Sequence, residues 1–122
     1  MAEALVIDDN RATADALGRM LTVLGFRSRM AYGASAAMSI LGSGFVPNFI
    51  FLDLNMPGVA GTEILSFLRR EPRLLRVPVI VVTSDDQPET RTKVMKLGAS
   101  ALVLKPATIE ALEAALKKSR VL

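Results

Sequence analysis

Five short apolar runs, separated by segments whose apolar residues recur at helical spacing, constrain this chain more than any other feature. Ala4-Leu-Val-Ile7 comes first, and Ala16, Leu17, Met20, Leu21 and Leu24 then repeat every three or four residues until Gly25 stops them. Phe26 to Met30 alternates, with Arg27 and Arg29 on one face, as an edge strand with one wet side would. A short Ala-rich helix is expected from Ala34 to Leu41. Phe49 to Leu52, Val77 to Val82 and Leu102 to Leu104 are the remaining runs, too short and too apolar for surface helices. Between them lie helical patterns at Gly61 to Arg70 and Pro88 to Leu97. A last helix is expected after Thr108 as N-cap, with Glu110 in its first turn, Ile109, Leu112 and Leu116 on one face, and Lys117, Lys118 and Arg120 in its last turn.

Five strands alternating with five helices, without a linker or a repeat, imply a doubly wound α/β fold: a parallel sheet covered on both faces. The 122 residues, 51% of them hydrophobic, suffice for one core and not two, so residues 1–122 are expected to form a single domain. No apolar run approaches the roughly 18 residues of a membrane span. The start, Met1-Ala-Glu-Ala, lacks the blocks of a signal peptide, so the expected location is the cytoplasm. Met1 stands just before the first strand and reads as a natural N-terminus, whereas the end at Leu122 fits a stand-alone protein or a piece of a longer one.

The chain has no cysteine and no histidine, which removes thiol nucleophiles, imidazole relays and any ordinary zinc site. Chemistry must come from carboxylates, hydroxyls and lysine. The net charge is +3, but the 15 basic residues are spread along the chain and aromatics are 5%, so direct nucleic-acid binding is not expected. The denser basic spots, Arg69-Arg70 with Arg73 and Arg76, and Lys117-Lys118 with Arg120, read as solvated helix ends.

In a doubly wound sheet, ligands bind at the carboxyl ends of the strands, where the chain direction switches. Strand one ends in Asp8-Asp9, strand three in Asp53, strand four in Thr83-Ser84 and strand five in Lys105-Pro106. Alone, Asp53 reads as a strand tip half in water, capping the turn of Pro57-Gly58. Carboxylates, a hydroxyl and an ammonium converging on one edge instead describe a site. Two like unit charges about 4 Å apart repel by about 4 kcal/mol at an effective dielectric near 20, so three carboxylates and one lysine need another cation. Oxygen donors without thiolate or imidazole suit Mg²⁺ or Mn²⁺.

These stretches resemble a known family, the receiver domain of bacterial two-component response regulators, of the chemotaxis-regulator type. The resemblance is carried by Val6-Ile-Asp-Asp-Asn10, Leu52-Asp-Leu-Asn-Met-Pro-Gly58, Val81-Val-Thr-Ser84, Gly98-Ala-Ser100 and Leu104-Lys-Pro106. It implies a flavodoxin-like fold with strand order 2-1-3-4-5. It also implies that Asp53 is the phosphoacceptor, Asp9 a direct Mg²⁺ ligand, Asp8 a ligand mainly through water, and Asn55 a ligand through its backbone carbonyl. Asp53 would then end a rigid strand, with the following turn exposing it to donor, metal and solvent. Lys105 would contact the phosphoryl group, Pro106 would follow through a cis peptide, and Thr83 would donate its hydroxyl to the phosphoryl group and draw in the loop after strand four. The domain would catalyse its own phosphorylation and dephosphorylation rather than turn over like a conventional enzyme. With no histidine of its own, it would need a sensor histidine kinase, a histidine phosphotransfer protein or a small acyl phosphate as donor.

The sequence departs from the family at Leu102 and Ala107, where aromatics are usual, and at Ala60, often Asp. Output in the family usually leaves by helix four, strand five and helix five, toward an output domain or a protein target. Here helix four is thinly apolar, with Val94 and Leu97 as main anchors among Arg91, Thr92, Lys93 and Lys96, so it can shift at low cost; its polar face reads equally well as plain solvated surface. Moving a two-state balance from 1:99 to 99:1 takes about 5.5 kcal/mol, more than the roughly 1.5 to 3 kcal/mol of burying one leucine. Activation is therefore expected to rearrange the loop from Thr83 to Pro88 and the start of helix four, leaving strand five and helix five nearly still. Two other readings compete: a degenerate receiver serving as a constitutive interaction module, suggested by Leu102 and Ala107, and a flavin-binding protein of similar topology. The second needs a phosphate-cradling loop after strand one, where Asp8-Asp9-Asn10 would repel phosphate.

Overall fold

Each apolar run is a strand and each helical pattern a helix in the computed structural model, which describes residues 2–122. Met1, and with it the expectation of an N-terminus there, lies outside the described residues. The order is β1 (Glu3–Ile7), α1 (Arg11–Val23), β2 (Arg27–Ala31), α2 (Ala34–Gly42), β3 (Phe49–Leu52), α3 (Gly61–Arg70), β4 (Val79–Thr83), α4 (Pro88–Lys96), β5 (Ala101–Leu104) and α5 (Ile109–Lys118). The largest shift from expectation is at β4, which starts at Val79 rather than Val77. Pro78, with no N–H to donate, stands just before it, and its carbonyl accepts from Ile50 N–H at 2.9 Å.

All strand pairs are parallel, in the order β2-β1-β3-β4-β5. Alternate residues of the central strands feed two cores, as the period of two requires. Leu5, Ile7, Ile50, Leu52, Val79 and Val81 pack with residues of α2, α3 and α4. Ala4, Val6, Phe49, Phe51, Ile80 and Val82 pack with residues of α1 and α5. Phe49, Phe51, Leu5, Ile7, Ile50 and Leu52 are fully buried, and each contributes about 1.5 to 3 kcal/mol of transfer free energy. Edge strand β2 exposes Arg27 and Arg29 as the alternation predicts, and Arg29 pairs with Glu3 at 3.3 Å. No helix among the described residues is long and apolar enough to cross a membrane.

Two of the basic residues read as solvated helix ends tie segments together instead. Arg69 Nε donates to Gly98 O at 3.0 Å and its Nη1 to Leu75 O at 3.1 Å, while an Arg73 Nη2 hydrogen bond reaches Leu41 O. Burial lowers the Arg69 pKa from its ordinary value. Arg70 and Arg76 are exposed, as expected.

Candidate functional site

Strand register assembles the site. Ile7 lies beside Leu52 and Asp53 N–H donates to Ile7 O at 2.9 Å, so the residues after β1 and β3 leave the sheet side by side. This is the point where the chain, having gone from β1 to β2 on one side, crosses to β3 on the other. Thr83, the last residue of β4, lies beside Leu104, and Lys105 N–H donates to Thr83 O at 2.8 Å. The four polar strand ends therefore converge on one edge.

Asp8, Asp9 and Asp53 each offer one carboxylate oxygen within 4.8 Å of the others. Asp8 Oδ2 accepts from Lys105 Nζ at 3.0 Å and its Oδ1 from Asn10 N–H at 3.0 Å. Asp53 Oδ1 stands 3.5 Å from Lys105 Nζ and accepts from Asn55 N–H at 3.3 Å. Lys105 is followed by Pro106 through a cis peptide bond. Asp9 is exposed, and so is Asn55.

Asp53 is 4% exposed, so it is neither half in water nor presented openly by the turn that follows. The turn folds back because α3 begins against it: Gly61 N–H donates to Leu54 O at 3.0 Å, and a Cβ at Gly61 would stand 2.6 Å from Leu54 Cα. Burial pushes the Asp53 carboxyl above its ordinary pKa. The nearby charge of Asp8 adds to this, while Lys105 and the Asn55 N–H oppose it.

Three carboxylates against one ammonium leave the edge short of positive charge. The donors are hard oxygens, with no thiolate or imidazole in the chain to compete, so the residues present fit a hard divalent cation such as Mg²⁺ or Mn²⁺.

Leu102 is half-buried against the core under α3 and α4, and Ala107 packs against the core under α1 and α5. Where an aromatic is usual, Ala107 together with Ala12 and Ala16 opens a cleft of about 550 Å³ beside Lys105. Sequence reasoning missed Asp85, whose N–H donates to Thr83 Oγ1 at 3.2 Å and whose carboxylate accepts from Gln87 N–H and Thr90 Oγ1 at 3.0 and 2.6 Å. An Asp shortly before a helix that opens on proline was the available signal.

Comparison with known proteins bears on the family and the fold. A family model described as the response regulator receiver domain matches residues 4–117. The chemotaxis protein CheY of Pseudomonas aeruginosa is 32% identical over 117 residues, 93% of this chain and 92% of that protein. The two-component response regulator ORR6 of Oryza sativa subsp. japonica is 29% identical over 104 residues, 84% of this chain, and the aligned part spans only 61% of that regulator. A crystal structure of a response regulator from Burkholderia pseudomallei, with a phosphorylated aspartic acid, a calcium ion and citrate, superposes with a TM-score of 0.83 at 30% identity, covering 99% of this chain and 71% of that one.

Proposed function

This chain belongs to the response regulator receiver domain family, and we propose that residues 1–122 are one receiver domain that accepts a phosphoryl group on Asp53. Receivers of this family serve two-component signalling, with histidine kinases and output domains as their counterparts. The observation that carries the residue-level reading is the Lys105 ammonium, held 3.0 Å from Asp8 and 3.5 Å from Asp53 at the switch point of the sheet. The phosphorylated aspartic acid and the calcium ion of the Burkholderia pseudomallei regulator support it.

An Asp53 oxygen attacks the phosphorus of the donor. The bond from phosphorus to the donor's imidazole nitrogen, or to the oxygen of an acyl phosphate, breaks as the aspartyl phosphate forms. Water later cleaves that phosphate and restores the carboxylate. Lys105 meets the transferred oxygens, and the Thr83 hydroxyl donates to one of them. Charge spreads over those oxygens in a loose transition state, so positioning and neutralisation do most of the work. Asp9, Asp8, Asp53 and the carbonyl of Asn55 would hold Mg²⁺, which supplies charge neutralisation between carboxylates and phosphoryl oxygens when bound.

Because the chain has no histidine, the donor is a separate group: a sensor histidine kinase, a histidine phosphotransfer protein or a small acyl phosphate. The site of action is the cytoplasm, and the signal passes to a partner or output domain through the surface that begins at α4. Intact-mass measurement with acetyl phosphate and Mg²⁺ tests the reading: wild type gains one phosphoryl group and Asp53→Asn gains none. A wild-type protein that stays unmodified supports instead a receiver fold kept as a constitutive interaction module.

A further inference from the structure

The cleft of about 550 Å³ between α1 and the segment after β5 is not explained by the carboxylates at the sheet edge. Its floor is Leu17 and Val82, both buried, and its walls are Ala16 and Met20 of α1 and Ala107, two residues past Lys105. Ala16 and Ala107 stop at Cβ, so the space between them stays open where an aromatic ring at position 107 would fill it. Met20, unbranched and with a polarisable sulfur, gives one wall that adapts to its contents.

One end of the cleft differs from the rest. Lys105 lines it, and the same ammonium stands 3.5 Å from Asp53 Oδ1. Among the described residues no carboxylate lines the cleft, so its charge is that of one cation facing apolar walls. A concave apolar space of this size with a single charged anchor has the form of a small-molecule site. Its volume is well above the roughly 150 Å³ that holds benzene in a dry apolar cavity.

We propose that this cleft holds the apolar acyl group of a small acyl phosphate, so that the domain takes aromatic or branched-chain acyl phosphates as donors in preference to acetyl phosphate. The proposal rests on Asp53 being the phosphoacceptor. The occupant follows from charge: an acyl phosphate joins an apolar group to an anionic phosphoryl group, and the lysine shared by cleft and site meets the anion while the tail lies against Leu17, Met20 and Val82. An Asp53 oxygen attacks phosphorus, the bond from phosphorus to the acyl oxygen breaks, and its electron pair leaves on a carboxylate, with no proton transferred. Burial of the tail holds the phosphorus beside its nucleophile, so binding energy remote from the reacting atoms speeds the transfer. Acetyl phosphate, with one methyl beyond its carbonyl, leaves most of the cleft unfilled.

The test compares initial rates of Asp53 phosphorylation, read by intact mass, with benzoyl phosphate and with acetyl phosphate at equal concentration in the presence of Mg²⁺. In wild type the benzoyl rate is expected to exceed the acetyl rate by about tenfold or more. Ala107→Phe and Ala16→Leu fill the cleft from opposite walls, and each should lower that ratio by about tenfold. An aromatic is usual at position 107 in the family, so Ala107→Phe keeps the fold. A ratio near one in wild type, or a ratio that neither substitution changes, overturns the acyl-group site and leaves the cleft to a side chain of a protein partner, while the phosphoacceptor reading stands. If neither donor modifies Asp53 in wild type, both are overturned.

Discussion

Lys105 Nζ donates to Asp8 Oδ2 at 3.0 Å across a sequence separation of 97 residues, and the same ammonium stands 3.5 Å from Asp53 Oδ1. Two buried carboxylates thus share one cation whose side chain is 23% exposed. Removing the lysine leaves both without their charge partner. Lys105→Ala is expected to destabilise the fold by about 2 kcal/mol at neutral pH without divalent cations, less than a fully buried pair because water reaches the lysine. Urea denaturation reads this directly, and an unchanged midpoint contradicts it.

Asp53→Asn is expected to act in the opposite direction. The folded-state pKa of Asp53 is raised, chiefly by burial. Below the ordinary carboxylate pKa, folded and unfolded chains are both protonated there and the group contributes nothing. As pH rises, the unfolded chain ionises first, so the folded state loses stability until the folded pKa is passed. The variant should therefore be more stable than wild type by about 1 kcal/mol at pH 7 without divalent cations, with the gain shrinking on acidification. Equal stability at pH 7 would contradict the account.

Asp9 separates metal binding from folding, since it is exposed and yet belongs to the carboxylate trio. Asp9→Ala should leave apo stability within about 0.5 kcal/mol of wild type. Mg²⁺ affinity should fall about tenfold or more. Calorimetric titration that finds the affinity unchanged would remove Asp9 from the site.

Gly98→Ala is expected to loosen the tied end of α4. Gly98 has φ of 106°, a region that alanine rarely adopts, and an added Cβ would stand 2.9 Å from Arg69 Cγ and Nε. A loss of about 1 to 3 kcal/mol is expected. Arg69→Met, which removes the hydrogen bonds but keeps most of the bulk, should lower stability as well. Thermal unfolding of the two variants checks both.

The elements were legible because period and length survive in sequence: Phe49 to Leu52 can only be a buried strand, and Thr108 does cap α5, accepting from Ala111 N–H at 3.1 Å. The convergence of the candidate site was legible because each of its polar groups follows or ends a strand, so that order along the chain became position along one edge. Arg69 was not, because a lysine or arginine in a last helical turn reads as solvated unless the carbonyls it reaches, Gly98 and Leu75, are known to fold back toward it. Asp53's burial was not legible either, since it depends on how closely Gly61 lets α3 approach the turn.

The central claim is that Asp53, and no neighbouring carboxylate, carries the phosphoryl group. Peptide mapping by mass spectrometry after incubation with acetyl phosphate and Mg²⁺ tests it most directly. The account predicts the modification on the peptide containing Asp53, with Lys105→Ala and Thr83→Ala slowing its appearance without moving it. A phosphoryl group found on Asp8 or Asp9, or retained in Asp53→Asn, would contradict it.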